Sequence, residues 1–264
     1  MTSGTNGTNG TNSANGHGPA AAAGDTAAAE TGSSLFVQAL ALGLEPAWRR
    51  RDDSERGHEA EAFREALAQG AEDGVGGATY SSIGLEPDVD LLLWRTASSV
   101  DALETSAARL LRSGLGRWLI ARHSFIGRIR QSQYVRKPTS QEQSVFSGER
   151  SRYLVVYPFT KSTEWYLTPA AERQRIMNGH MKVGHRYPAI RQALAYSFGL
   201  DSQDFIVAYE TDDLSSFGEL VYELRGTESR IATVSDTPIL LGVHRPIEEI
   251  LDLLGAPSLA AASR

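Results

Sequence analysis

The sequence predicts an α+β fold built from two ferredoxin-like modules that form a dimeric α+β barrel within one chain. Two observations carry this. Apolar stretches with strand and helix periodicity follow one another in the order β-α-β-β-α-β, and the second half of the chain repeats that order. An antiparallel sheet with helices on one face leaves its other face to be covered, and packing the two sheets face to face covers both. A third observation sets the limits. Residues 1–33 are a Gly, Asn, Thr, Ala and Ser stretch without apolar periodicity, expected to be a disordered tail. The modules are then 34–148 and 149–264.

In the first module, Leu35 to Leu44 reads as a buried strand and Glu59 to Leu67 as a helix with Ala60, Phe63 and Leu67 on one face. A glycine-rich turn leads to a strand over Thr79 to Leu85. The turn at Pro87-Asp88 leads to another over Val89 to Thr96, with Leu91, Leu93 and Arg95 on one side. Val100 to Leu111 reads as a helix and Phe125 to Val135 as the closing strand. Residues 136–150 are polar, contain Pro138 and read as a loop joining the modules.

The second module begins with a strand over Tyr153 to Thr160 and a turn through Trp165 and Tyr166. A helix over Thr168 to Arg186 follows, with Thr168 suited to the N-cap, Pro169 to the first turn and Glu172 to the positive end of the dipole. Pro188 stops it. Ile176, His180, Val183 and Tyr187 share one face, so His180 points inward. Strands over Gln192 to Gly199 and Phe205 to Glu210, a helix over Leu214 to Leu224 and a strand over Ile239 to Val243 complete the repeat.

Composition excludes several functions. The chain has 264 residues, no cysteine and a formal net charge of -6. Disulfides, thiolate metal sites, iron–sulfur clusters and cysteine nucleophiles are therefore out. The acidic balance argues against nucleic-acid binding, and the basic run Arg49-Arg50-Arg51 is diluted at once by Asp52 and Asp53. No apolar run approaches the roughly 20 residues of a membrane span. The head lacks the basic and apolar regions of a signal peptide, so a cytoplasmic protein is expected.

The run YPFTKSTEWYLTPAAERQRIMNGH, followed by GHRYP, YSFGLDSQDF and YETDDL, resembles the chlorite dismutase superfamily and specifically its coproheme decarboxylase branch. In the first half, AWRR, YSSIGLEPDVDLLLWR and SFIGRIRQSQYVRKP resemble it in order and placement. The resemblance implies a dimeric α+β barrel, commonly assembled as a pentamer, with heme or coproheme (iron-coproporphyrin III) in the second module. His180 matches the proximal iron ligand. The dismutases place an arginine on the distal side and the decarboxylases of Gram-positive type a glutamine. Aligning along the strand puts Gln192 there, and counting forward from His180 puts Ala193 there, while Arg191 is expected on the opposite sheet face. Tyr157 and Lys161 match the Tyr-Pro-x-x-Lys of the decarboxylases. There the tyrosine forms the radical that takes hydrogen from a propionate and the lysine assists.

The resemblance thus implies a hydrogen-peroxide-dependent conversion of coproheme to heme b. Tyr157, Lys161 and Gln192 are then the catalytic residues and His180 the iron ligand. Four propionates call for cationic partners. Arg152 and Arg230 are the expected ones, with Arg150 and Arg225 beside them, and Trp165 is expected in the pocket wall. The rival readings are a chlorite dismutase or heme peroxidase, and a heme-binding protein without activity on the same scaffold.

Overall fold

Both faces of the first strand are apolar because both are covered. In the computed structural model, which describes residues 35–130 and 149–257 besides Met1, β1 (Leu35–Leu44) sends Val37, Ala39 and Ala41 one way and Leu40, Leu42 and Leu44 the other. The first set lines a barrel interior, and the second lies under helices. A strand buried on both sides loses polar alternation, which is why LFVQALALGL reads as a continuous apolar run.

The first module continues with α1 (Asp53–Glu72), β2 (Gly76–Ser81), β3 (Leu91–Ala97), α2 (Val100–Arg112) and β4 (Leu119–Ile129). The second comprises β5 (Tyr153–Lys161), α3 (Thr163–Leu167), α4 (Ala170–Gly184), β6 (Arg191–Tyr196), β7 (Phe205–Thr211), α5 (Leu214–Arg225), β8 (Thr233–Ser235), β9 (Leu240–His244) and α6 (Ile247–Leu254). The expected tail, the end of the expected strand at 131–135 and the loop from 136 to 148 lie outside the described residues. No helix among the described residues is long and apolar enough to cross a membrane.

The strands form one sheet in the order β7-β6-β4-β1-β3-β2-β9-β5-β8, and β5 also pairs with β7. This closes an antiparallel barrel, as the fold class implies, with the two half-sheets joined edge to edge. Each module's edge strands pair with the other's, at β4–β6 through Arg128↔Tyr196 and Ile129↔Ala195, and at β2–β9 through Tyr80↔His244 and Ser81↔Val243. Closure removes the unpaired edges that two half-sheets would expose. At the β4–β6 seam a Cβ on Gly127 would lie 3.0 Å from the Ala195 Cβ, so the close approach of the two strands suits glycine. Small residues (Ala39, Ala41, Ala193, Ala195, Ala208) interdigitate with Tyr80, Trp94 and Phe125 to fill the barrel.

Several boundaries differ from expectation for local reasons. β2 ends at Ser81 because Gly84, at φ 72°, turns the chain before Leu85. β4 starts at Leu119, earlier than Phe125. α6 was not expected. Its Ile250, Leu251 and Leu254 cover the outside of the first module beside Phe63, Leu91 and Leu93, so the chain's last helix packs on the module from which it does not come. β8 was also missed. It is a short addition to the end of β5, through Thr160↔Ser235 and Lys161↔Thr233.

The outer face of the second module carries the sparser layer. Tyr157, Phe159, Leu194, Val207 and Tyr209 on the strands meet Val183 and Tyr187 at the end of α4 and Phe217, Leu220 and Leu224 on α5. None of the residues of α4 is buried, and even its inward face is half-exposed. The site lies between this helix and the sheet.

Candidate functional site

The helix bearing His180 is shorter than its sequence signals imply. Thr168 was expected to cap one helix from 168 to 186. Instead Ser162 caps α3, its Oγ accepting from the Trp165 N–H at 3.4 Å, and the chain breaks at Thr168-Pro169 before α4 begins. The residue before a proline is driven out of the helical region, and Thr168 is extended at ψ 135°. Its hydroxyl turns back to donate to the Glu164 carbonyl at 2.7 Å, so it closes α3 and does not cap α4. The break swings Trp165 inward, where it is 4 % exposed.

His180 faces the turn after α5. Its Nδ1 lies 3.1 Å from the Ser229 Oγ, and that oxygen lies 2.9 Å from the Thr227 Oγ1, whose hydroxyl donates to the Leu224 carbonyl at 2.7 Å. Each hydroxyl has one hydrogen to give. Thr227 spends its own on Leu224, so Ser229 donates to Thr227, and the hydrogen on Ser229's other side comes from His180 Nδ1–H. The imidazole is therefore the tautomer whose Nε2 carries a free lone pair. Burial, and then the charge of Lys161, hold its pKa down to about 4, so the ring is neutral at physiological pH.

Lys161, at the end of β5, donates its ammonium to the carbonyl of the same Ser229 at 2.6 Å. The ammonium lies 4.7 Å from the Trp165 ring and 5.2 Å from Phe159. Burial, and then Arg230, lower its pKa to about 8. Arg230 pairs with Asp236 at 2.5 Å, and Arg225 approaches the same oxygen at 3.8 Å. Two arginines thus share one carboxylate, and the Lys161 ammonium lies close enough to Arg230 to feel its charge.

Tyr157 sits on the outer face of β5 within the layer that faces α4 and α5. Its hydroxyl is hydrogen-bonded to that of Tyr209, and burial followed by Tyr209 pushes its pKa well above the ordinary phenol value. Gln192 pairs with Tyr209 across β6–β7. Ala193 is 1 % exposed and belongs to the barrel interior, so strand alternation puts Gln192 on the outer face with Tyr157 and leaves Ala193 no access to that layer.

Arg191 does face the opposite way, as expected. It bonds Glu210 at 2.6 Å, and Arg150 and the Tyr80 hydroxyl reach Glu210 at 2.9 and 2.8 Å. Glu210 is fully buried. Arg150 is therefore held by the barrel interior rather than by the outer layer. Arg152 is exposed, stacks on Tyr153 at 5.2 Å and lies at the other end of β5 from Lys161. At roughly 3.3 Å per residue that is ~30 Å away. The structure thus brings His180, Lys161, Trp165 and Arg230 to one place, with Tyr157 and Gln192 on the sheet face beside it, and leaves Arg152 outside.

Residues that the sequence did not point to complete the site. Ser229 and Thr227 belong to a single 3-10 turn at Glu228–Arg230 and Asp236 to the segment after β8, all too short to show a periodicity. Arg173 lies two turns before His180 on the same face of α4, and its Nε is buried without a hydrogen-bond partner among the described residues. Its spacing from His180 was the only signal. The residues present fit an iron porphyrin with acidic side chains. A neutral imidazole offers Nε2 from a half-open helix face, an orphaned guanidinium N–H sits on that face, and cations lie nearby. No cluster of three His, Cys, Asp or Glu forms a competing metal site among the described residues.

A coproheme decarboxylase from Mycolicibacterium smegmatis is 30% identical over 174 residues, covering 65% of this chain and 74% of the relative. A solved mutant chlorite dismutase from Candidatus Nitrospira defluvii superposes with a TM-score of 0.77 at 25% identity, covering 84% of this chain and 96% of that one. The same organism's chlorite dismutase in complex with imidazole gives 0.76 at 24% identity, covering 83% and 94%. The family model for chlorite dismutase matches residues 56–245, and the chain belongs to the chlorite dismutase family.

Proposed function

We propose that this protein is a hydrogen-peroxide-dependent coproheme decarboxylase that converts iron-coproporphyrin III to heme b. The observation that carries the reading is Tyr157, a protonated phenol on the sheet face opposite the His180 helix, with Lys161 four residues along the same strand. The likeness to the mycobacterial coproheme decarboxylase supports the same branch.

His180 Nε2 would hold the iron, with Ser229 and Thr227 fixing the ring. Arg173 and Arg230 would take propionates, and Gln192 would face the distal side. The iron porphyrin, once bound, supplies the redox chemistry through which peroxide oxidises Tyr157. The Tyr157 phenoxyl then takes a hydrogen atom from the β-carbon of a propionate, and its O–H bond is restored. A second electron passes to the remaining oxidising equivalent of the peroxide as the bond to the carboxylate cleaves, releasing CO₂ and leaving a vinyl group. Each propionate consumes one peroxide and one proton and yields two waters. Lys161, as an ammonium, orients the carboxylate until it departs.

The test is to mix the protein with ferric coproheme, titrate hydrogen peroxide and follow the porphyrins by mass spectrometry, with oxygen release from chlorite measured in parallel. Stepwise loss of two CO₂ is the expected result. Oxygen from chlorite without decarboxylation would replace the reading with a dismutase, and binding without either reaction would replace it with a carrier.

A further inference from the structure

Tyr157 does not stand alone. Its neighbour across β5–β7 is Tyr209, set diagonally because Tyr157 pairs with Val207 and Tyr209 with Val155. Diagonal neighbours on one sheet face are within reach of aromatic side chains. Here the ring centroids are 6.3 Å apart at 31°, and the two hydroxyls are hydrogen-bonded. On its other side Tyr209 pairs with Gln192, so Tyr157, Tyr209 and Gln192 run as a row over three adjacent strands. Phe217 packs on Tyr209 at 5.2 Å, and Tyr209 is 3 % exposed. With Ile190, Val207 and Leu220 it forms the buried part of the outer layer, whereas Tyr157 is only partly buried.

We propose that Tyr209 is a second redox-active tyrosine that exchanges a hydrogen atom with the Tyr157 phenoxyl, so that the oxidising equivalent is shared between the two rings. The proposal rests on the radical role given to Tyr157 above. In the exchange the Tyr209 O–H bond breaks and the Tyr157 O–H bond forms. One proton and one electron pass together along the existing hydrogen bond, and the unpaired electron is left on Tyr209. Both partners are phenols, so the step is close to thermoneutral and needs no further oxidant. No net charge moves, which matters because burial penalises a phenolate at either position. Tyr157 remains the ring that meets substrate. Tyr209 holds the equivalent where external reductants cannot reach it, and returns it when a propionate is in place.

The test places 3-fluorotyrosine at position 209 and records the electron paramagnetic resonance spectrum of the coproheme complex freeze-quenched after peroxide addition. Expected is a tyrosyl signal with an added fluorine splitting. Tyr209→Phe should lose that component and shorten the radical lifetime severalfold, while keeping the wild-type Soret band and thermal midpoint. A tyrosyl signal without fluorine splitting, unchanged in lifetime in Tyr209→Phe, overturns the pairing. Tyr157→Phe separates the two readings. If it decarboxylates at the wild-type rate, the role of Tyr157 falls and the pairing with it. If it is inactive and the protein that retains Tyr157 shows no fluorine splitting, only the pairing falls.

Discussion

His180 and Lys161 converge on one residue: the imidazole Nδ1 meets the Ser229 hydroxyl at 3.1 Å, and the lysine ammonium meets the Ser229 carbonyl at 2.6 Å. A strand and a nearby helix of the second module are thereby locked to the same turn after α5. The hydroxyl bond sets the imidazole tautomer, and the carbonyl bond sets where the ammonium stands.

Replacing the hydroxyl should therefore disturb iron binding without moving the helix. For Ser229→Ala, nitrogen-15 NMR of the protein without porphyrin should show the Nε2–H tautomer of His180 appearing beside the Nδ1–H form. Affinity for iron porphyrin should fall about tenfold or more, the usual cost of losing such a support. Ser229→Thr should restore both. An unchanged tautomer ratio in Ser229→Ala would refute the relay.

Arg173 offers a buried Nε with no partner on the His180 face. Arg173→Leu keeps the aliphatic bulk and removes the cation. One charge-assisted hydrogen bond contributes about 1.5 kcal/mol, so affinity for iron-coproporphyrin III should drop roughly tenfold. Spectroscopic titration checks this, and equal binding by the variant would remove Arg173 from the site.

Burial sets the sign of a pH effect at Lys161, whose pKa is about 8 in the folded chain against 10.5 ordinarily. Below pH 8 both folded and unfolded states carry the proton, and the full cost of the buried ammonium is present. Between about 8 and 10.5 the unfolded state holds more protons, so stability rises with pH, and above that range the contribution no longer changes. The stability difference between Lys161→Met and the parent should therefore shift in the parent's favour as pH rises from 8 to 10.5. Urea titrations of the porphyrin-free protein across that range would show it, and a pH-independent difference would contradict the assignment.

Glu210 holds Arg150, Arg191 and the Tyr80 hydroxyl from a fully buried position. Glu210→Ala would remove the buried carboxylate that Arg150 and Arg191 share. Roughly 3 kcal/mol of stability should be lost, as when one partner of a buried pair is removed. A change under about 1 kcal/mol in chemical denaturation would mean that the arginines find solvent instead.

The repeat of strands and helices was legible in the sequence because periodicity is local. Alternation along β1 and β5 and the shared face of Ile176, His180, Val183 and Tyr187 follow from backbone geometry alone. The motif around Tyr157, Lys161 and His180 could be picked out by its resemblance because it lies within one short stretch of the chain. What only the tertiary structure decided is which distant residues meet. Closure through β4–β6 and β2–β9 joined the two half-sheets by pairs that no local pattern encodes. That Gln192 and not Ala193 shares the outer face with Tyr157 turned on which side of β6 faces the barrel, because a one-residue change of register exchanges the faces of a strand. Arg152 and Arg230 are alike as sequence, each a cation near a predicted element. The length of β5 puts one at the far end of the barrel, while the turn after α5 brings the other against Asp236 and Lys161. Ser229, Thr227 and Tyr209 gain their meaning from the same cause: a hydroxyl becomes a relay or a redox partner only when folding places an imidazole or a second phenol within a hydrogen bond of it.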